Sequence, residues 1–234
     1  MARVDKIDNS VRKRLERIEG TKRQVGTRDQ VVYFLIVCEG TKTEPNYFIE
    51  LEKDLPKGIV KLVIEGSGLN TLSLVDRAIK IRDASIRNYD RVWAVFDRDD
   101  FPEESFNNAI YKALGNGIHC AWSNQAFELW FLLHFQYVNV AMTRDAYKEY
   151  LETQVRKVSR NDNYVYAKNS IEMYSILKNF GNQDQAINIK WSNKLLSDYS
   201  DERYAKHNPC TLVHLLIEEL KNPQSVLKNL SKEI

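Results

Sequence analysis

The first clear hydrophobic pattern along the chain is a continuous apolar run at residues 31–38, which is rich in β-branched and aromatic residues. Such a run predicts a strand that is buried on both faces. Further strands are predicted at 59–65, 91–96 and 118–122. Helical patterns come between them, and we expect helices from Thr43 (as N-cap), over 70–87, after Pro102 and over 126–135.

Strands that alternate with helices predict an α/β fold with an open, mainly parallel sheet flanked by helices. After residue 136 the pattern becomes helical and polar, with loops expected at 159–163 and 182–186 and a last helix from 209 or 211 to 220. Functional side chains of such sheets gather at the carboxyl ends of the strands. The domain organisation that we predict is a basic N-terminal arm (1–30), a catalytic core (31–140) and a helical extension of the same domain (141–234).

The formal net charge of +2 is too small to indicate a nucleic-acid partner by itself. The placement of charge is more informative, because basic residues are concentrated in the arm. Arg12, Lys13 and Arg14 are its candidates for contacts with nucleic acid. Two interpretations stay open for this arm: it contacts phosphates, or it is a solvated tail.

Glu39 follows the first predicted strand directly, and Gly40 comes next. Glycine allows a sharp turn and the close approach of a phosphate to the backbone. A carboxylate at the end of a buried strand is therefore a candidate catalytic group. An exposed loop acid is the alternative.

Asp97 and Asp99 follow the third predicted strand, one residue apart. Two such carboxylates repel each other unless a cation or an arginine lies between them. Magnesium prefers oxygen ligands, so the pair is a candidate Mg²⁺ site, with Mn²⁺ as a substitute. The same pattern also occurs in sugar-nucleotide transferases, in phosphatases and in turns, and alone it does not decide among them.

The order of the two motifs is more specific than either motif. A strand followed by Glu-Gly, and a strand followed by Asp-x-Asp about sixty residues later, resembles the Toprim domain of topoisomerases, primases and OLD-type nucleases. Four segments are similar to motifs of the RloB family: CEGTKTEPNYF (38–48), FDRDDF (96–101), SNQAFELWFLLHF (123–135) and NPCTLVH (208–214). The third departs from the family pattern, because Gln125-Ala126 stands where a proline and a small residue are expected.

The resemblance implies a Toprim-like fold and a nuclease-like component of bacterial anti-phage defence that works beside an ATPase. It implies that Glu39 is a general acid or base or a metal ligand, and that Asp97 and Asp99 hold magnesium. It also implies that Glu128 helps to hold a second metal ion. A solvated helix acid is the alternative for Glu128.

The sequence offers four further candidates for the site. Glu44 lies on the helix after Glu39 and could add a metal ligand; the alternative is an ordinary acid at a helix N-terminus. Lys168 is a candidate for stabilising charge on a phosphate in the transition state, against an ordinary surface lysine. Lys42 and Arg98, next to the two acidic motifs, are candidate contacts to nucleic acid.

Other polar residues have mainly structural interpretations. His134, between Leu133 and Phe135, is expected to be a hydrogen-bonded core histidine. Asn124 is either a helix N-cap or a group that orients a water or a ligand. His207 lies in a polar segment and is a weak candidate for a phosphate contact.

Our hypothesis is a metal-dependent phosphodiesterase, a nuclease that acts on DNA or on RNA, tRNA included. The alternatives are a catalytically silent scaffold that binds an ATPase and nucleic acid, and a nucleotidyl or sugar-nucleotide transferase. A homo-oligomer is also open. No apolar segment is long enough to cross a membrane, and no secretory signal is visible. With three widely spaced cysteines, expected to be buried thiols, these features predict a cytoplasmic protein.

Overall fold

The computed structural model of the chain describes residues 30–99, 102–187 and 191–230, without the side chains of residues 229 and 230. Its centre is a five-stranded sheet. The strands are β1 (Val32–Cys38), β2 (Val60–Gly66), β3 (Arg91–Asp97), β4 (His119–Asn124) and β5 (Cys210–Thr211). The predicted open, mainly parallel α/β sheet is confirmed.

The order of the strands across the sheet is β2-β1-β3-β4-β5. The first four run parallel, and β5 runs antiparallel to β4. In register, Cys38 is opposite Val95, and Asp97 is opposite Ser123. The carboxyl ends of β1, β3 and β4 therefore meet at one edge of the sheet.

Helices occupy both faces of this sheet. They are α1 (Thr43–Glu52), α2 (Thr71–Ala84), α3 (Glu103–Gly115), α4 (Glu128–Leu132), α5 (Arg144–Ser159), α6 (Met173–Phe180), α7 (Gln183–Ile187), α8 (Ser192–Ser197), α9 (Val213–Lys221) and α10 (Pro223–Leu230), with a 3₁₀ turn at Tyr204–Lys206.

Two apolar layers hold the helices on the sheet, because successive side chains of a strand point to opposite faces. Phe34 and Ile36 of β1 pack in one layer with side chains of α1, α4 and α5. Leu35 and Val37 pack in the other with side chains of α2 and α3. The first layer also contains Tyr147 and other residues beyond 140, so the C-terminal helices share the core of the sheet.

The direction in which the chain adds strands to the sheet reverses at β1. The chain leaves β1 through α1 to reach β2 on one side, and it leaves β2 through α2 to reach β3 on the other. Since α1 and α2 lie in opposite layers, a crevice opens between the carboxyl ends of β1 and β3. This is the topological switch point, where open α/β sheets bind their ligands.

Several details of the prediction were wrong. Lys42, not Thr43, precedes α1 as N-cap, because the Thr43 hydroxyl donates instead to the carbonyl of Lys168, at 2.9 Å. The helix expected over 126–135 is regular only from Glu128 to Leu132, since three-residue turns follow it. The loop expected at 182–186 is the short helix α7, and both β5 and α10 were missed.

The structural interpretations of several core residues are confirmed. His134 is buried, and its Nδ1 lies 2.9 Å from the carbonyl oxygen of Trp130. The cysteines are buried free thiols: Cys38, Cys120 and Cys210. No helix in the described part of the chain is long and apolar enough to cross a membrane.

Candidate active site

Glu39 lies at the switch point, directly after β1. Its backbone N–H donates to the carbonyl of Val95 at 2.8 Å, which continues the ladder between β1 and β3. Its Oε2 accepts a hydrogen bond from the backbone N–H of Asp97 at 3.1 Å. The Glu39 carboxylate therefore lies between the two strand ends and beside Asp97, where the order of the motifs places it.

Two glycines allow this loop to pack closely. A Cβ on Gly40 would lie 2.1 Å from Oε2 of Glu44. A Cβ on Gly66, at the end of β2, would lie 3.0 Å from the backbone of Gly40 and of Thr41. The Glu39 carbonyl also accepts from the N–H of Gly68 at 2.8 Å. A side chain at position 40 would displace the Glu44 carboxylate, and one at position 66 would press against the loop that presents Glu39.

Asp97 and Asp99 share one cation, Arg144. The guanidinium donates to Oδ2 of Asp97 at 3.3 Å and also to Oδ1 of Asp99. Asp99 has a φ of 40°, a left-handed conformation that Asp tolerates better than most residues. This turn of the backbone lets both carboxylates reach the same guanidinium.

The other oxygen of Asp97, Oδ1, is buried and accepts no hydrogen bond among the described residues. Buried carboxylate oxygens normally have a partner. Burial raises the pKa of Asp97 well above its usual range, and the charges of Glu44 and Glu128 raise it further, whereas Arg144 lowers it. An unpaired, buried carboxylate oxygen beside other acids fits a metal ligand.

Glu44 lies in the first turn of α1 and is only 5% exposed. Its carboxylate accepts hydrogen bonds from the backbone N–H groups of Glu44 and Gly40, and these lower its pKa. Burial and the charge of Glu128 raise that pKa by more than the hydrogen bonds lower it. Glu44 is therefore at a helix N-terminus, as its alternative supposed, and it also belongs to the acidic cluster.

Glu128 is the first residue of α4 and is 2% exposed, so the solvated interpretation of this acid is wrong. Its Oε1 accepts a hydrogen bond from the hydroxyl of Tyr166 at 3.0 Å. Burial and the Glu128 charge raise the pKa of Tyr166 far above its ordinary value, so the phenol stays a donor. Tyr166 thereby fixes the orientation of the carboxylate.

Lys168 supplies a second positive charge. Its positive charge lowers the pKa of Glu44. The backbone of this segment is fastened to α1, because Thr43 donates to the Lys168 carbonyl and Asn46 donates to the Asn169 carbonyl at 3.0 Å. The structure brings Lys168 together with the acids, although 124 positions separate it from Glu44 in the chain.

These groups surround one cavity of about 580 Å³, which we call the acid cavity. Its charged lining residues are Glu39, Lys42, Glu44, Asp97, Asp99, Glu128, Arg144 and Lys168. Glu39 is largely buried there, and burial raises its pKa to about 7, against a hydrogen bond from Asp97 and the charge of Arg144, which lower it. Five carboxyl groups and three cations line the cavity, so acids outnumber cations there.

The chemistry of this donor set fits a divalent cation, because crowded carboxylate oxygens are the ligands that Mg²⁺ and Mn²⁺ prefer. Asp97, Asp99, Glu44 and Glu128 are the residues that would hold it. Within residues 30–99, 102–187 and 191–230, no three acid, cysteine or histidine side chains converge as a formed metal centre. Arg144 instead supplies the positive charge between Asp97 and Asp99.

The remaining candidates lie elsewhere. The Arg98 guanidinium turns to the carbonyl of Asp99, at 2.5 Å, and Arg98 does not line the acid cavity. His207 is buried against Tyr199, with ring centroids 4.3 Å apart, and does not line the acid cavity. Asn124 caps no helix and donates to the carbonyl of Ala205. Arg12, Lys13 and Arg14 lie outside the described residues.

Sequence reasoning missed Arg144 and Tyr166. A signal for Arg144 was available, since Thr143 precedes it as N-cap and a cation in the first turn of a helix opposes the helix dipole. An arginine in that position needs an acidic partner. Tyr166 had no such signal, because its pairing with Glu128 spans 38 positions of the chain.

The fold and the cavity define an α/β protein with an acidic site at the switch point of a parallel sheet. The chain matches the model of the RloB-like protein family over residues 34–220, and it belongs to that family. The resemblance of the sequence motifs to the RloB family is thereby confirmed. No curated protein and no solved structure matches the chain.

Proposed function

We propose that this protein is a metal-dependent phosphodiesterase of the Toprim type, which hydrolyses a phosphodiester bond in DNA or RNA. The observation that carries the proposal is the pairing of Glu39 with Asp97 at the switch point, where one buried oxygen of Asp97 has no partner among the residues that the structure describes. A phosphodiester carries a negative charge that the ionised carboxylates of this cavity would repel. Substrate binding in this cavity therefore requires additional positive charge, and a divalent cation fits that requirement.

A bound Mg²⁺ would supply Lewis-acid activation of the phosphate and lower the pKa of an attacking water. Asp97 and Asp99 would hold it, and Glu44 with Glu128 would complete the ligand set or hold a second ion. Tyr166 keeps Glu128 in position through its hydrogen bond. Gly40 leaves the space that the Glu44 carboxylate occupies.

Glu39 is the proposed general base. Its Oε2 is held by the N–H of Asp97, so Oε1 is the oxygen that takes the proton of the attacking water. Arg144 and Lys168 line the same cavity and would donate to the non-bridging oxygens of the phosphate. For this role Arg144 would turn from Asp97 and Asp99 to the substrate.

The experiment is cleavage of labelled single- and double-stranded DNA and RNA by the purified protein, with Mg²⁺, with Mn²⁺ and with EDTA. We expect metal-dependent cleavage that Asp97→Asn lowers at least about a hundredfold. Asp83→Asn is the matched control, since Asp83 is an exposed acid that pairs with Arg82 outside the cavity. Cleavage that survives Asp97→Asn in a preparation free of other nucleases would refute the proposal.

One observation favours a second candidate, a silent scaffold that binds nucleic acid and a partner. Arg144 already neutralises Asp97 and Asp99, as a structural ion pair would. A scaffold would bind nucleic acid without turnover under any metal condition, and labelled nucleotides would separate both candidates from a transferase. An ATPase partner and a role in anti-phage defence follow only from what the family resemblance implies. Co-purification of an ATPase with the tagged protein tests that part.

A further inference from the structure

Strand β2 forms one edge of the sheet, where β1 is its neighbour. In a parallel ladder, alternate residues of a strand direct their N–H and C=O groups to the neighbouring strand. Val32 donates to the carbonyl of Ile59, and Ser67 donates to the carbonyl of Cys38. By this alternation the backbone groups of Lys61, Val63 and Glu65 face β1, and those of Leu62 and Ile64 point outward.

The outward edge is open within the described part of the chain. Among the described residues, no group outside β1 forms a backbone hydrogen bond with the N–H or C=O of Leu62 or Ile64. Val63, at the centre of the strand, is 38% exposed, and Lys61 is exposed beside it. Edges of this kind pair readily with another strand unless proline, a bulge or a covering segment prevents it. β2 contains no proline.

The charges of β2 are complementary to those of a second copy of the strand that runs antiparallel to it. An antiparallel partner must place outward-facing residues opposite each other, so a two-fold axis can pass through residue 62, 63 or 64. An axis at Val63 places Lys61 of one copy opposite Glu65 of the other, twice. An axis at 62 places Lys61 opposite Val63, and an axis at 64 places Glu65 opposite Val63. Only the axis at Val63 pairs unlike charges.

We propose that β2 pairs antiparallel with β2 of a second copy of this chain, on a two-fold axis through Val63. Leu62 and Ile64 of the two copies then exchange backbone hydrogen bonds. Lys61 lies opposite Glu65 in a non-hydrogen-bonded pair, where side chains are closest. Glu65 also accepts from Arg77 of its own chain at 2.6 Å, so its carboxylate lies between two cations.

This dimer joins the two five-stranded sheets into one. Because the paired strands run in opposite directions, the acid cavities of the two copies open at opposite ends of the joined sheet. The proposal is independent of the function proposed above, since it uses no residue of the acid cavity and its readout is mass, not cleavage.

The first test is charge reversal in the full-length protein. The wild type is expected to have about twice the chain mass of 27.3 kDa in light scattering or sedimentation. Lys61→Glu or Glu65→Lys places like charges opposite each other at two points and should raise the dissociation constant at least about tenfold. The double variant Lys61→Glu/Glu65→Lys exchanges the charges and should restore the dimer. No structural role of either residue alone predicts that rescue.

The second test is a cross-link that reads the register. Val63→Cys places two thiols opposite each other on the axis, at a separation that a disulfide can span. Lys61→Cys is the matched control on the same face, because its two copies would be about 13 Å apart, four residues along the strand. Mild oxidation should cross-link the first variant and not the second.

Three results would overturn the proposal. A monomeric wild type whose Val63→Cys form does not cross-link excludes pairing of this edge with a second copy. A dimer that is insensitive to charge reversal uses another surface. Equal cross-linking of both cysteine variants excludes this register.

Discussion

Glu39 accepts a hydrogen bond from the backbone N–H of Asp97, across the ends of two neighbouring parallel strands. The contact joins a side chain after β1 to the backbone at the end of β3, 58 positions later. This hydrogen bond joins two separate acidic motifs into one site.

Replacement of Arg144 by Gln removes the cation that Asp97 and Asp99 share. We expect tighter binding of Mg²⁺, by roughly tenfold, because the ion no longer competes with a guanidinium for the same oxygens; a tenfold change corresponds to about 1.4 kcal/mol. Cleavage should nevertheless fall, because a donor to the phosphate is lost. Calorimetric titration with Mg²⁺ measures the first effect without reference to activity.

The control for that change is Lys148→Gln. Lys148 lies on the same helix, α5, and pairs with Asp145 outside the acid cavity. It should leave Mg²⁺ binding unchanged. If Arg144→Gln weakened Mg²⁺ binding, the guanidinium would be supporting the metal site and not competing with it.

Replacement of Gly40 by Ala should disrupt the site through contact with Glu44. The new Cβ would lie 2.1 Å from Oε2 of Glu44, so the buried carboxylate must move. We expect a loss of Mg²⁺-dependent thermal stabilisation and a loss of stability of about 1–3 kcal/mol in EDTA, the usual cost of overpacking. Gly115→Ala is the matched control, because nothing lies within 4 Å of its Cβ position. Equal melting temperatures for the two variants would contradict the close packing at Gly40.

Replacement of Tyr166 by Phe removes the hydroxyl that donates to Glu128. A buried acceptor left without its donor costs about 1–3 kcal/mol of stability, which urea unfolding in EDTA would measure. Tyr150→Phe, at a residue that is 49% exposed, should have almost no effect. A stable Tyr166→Phe variant with unchanged metal dependence would mean that Glu128 needs no support from this phenol.

His134 should make the protein less stable in mild acid. Burial lowers the pKa of its imidazole from 6.5 to about 4. Between these values the unfolded chain binds a proton that the folded protein excludes, so the free energy of unfolding falls as the pH falls, by roughly 3 kcal/mol in total. The stability of His134→Gln should lack this component, which is measured as the difference between the two proteins across that pH range. A constant difference between pH 7 and pH 4 would contradict the assignment.

The order of strands and helices up to β4 could be read from the sequence, because long apolar runs and their turn residues are local signals. The same signals located Glu39, Asp97 and Asp99, since each follows a buried strand. They could not locate Tyr166 or the role of the Lys168 backbone, which depend on contacts between distant segments. Arg144 was missed although its place after the N-cap Thr143 was a local signal, and that signal does not name its partners Asp97 and Asp99. β5 was missed because two residues, Cys210 and Thr211, carry too little pattern to predict a strand.

The ends of the helices could not be predicted from the sequence either. Threonine is a common N-cap residue, but the hydroxyl of Thr43 donates to the carbonyl of Lys168 instead. The apolar stretch after Ala126 reads as a long helix because nearly every side chain in it is buried, and full burial removes the periodicity that would mark where the helix ends.

The acid cavity takes its five carboxyl groups and Lys42 from residues 39–128, but two of its cations, Arg144 and Lys168, come from later segments. A chain that is still being synthesised cannot assemble this site until residue 168 of 234 has left the ribosome and reached α1. Premature termination or proteolytic loss of the later segment would therefore leave the acids without Arg144 and Lys168, two of the cations that offset them.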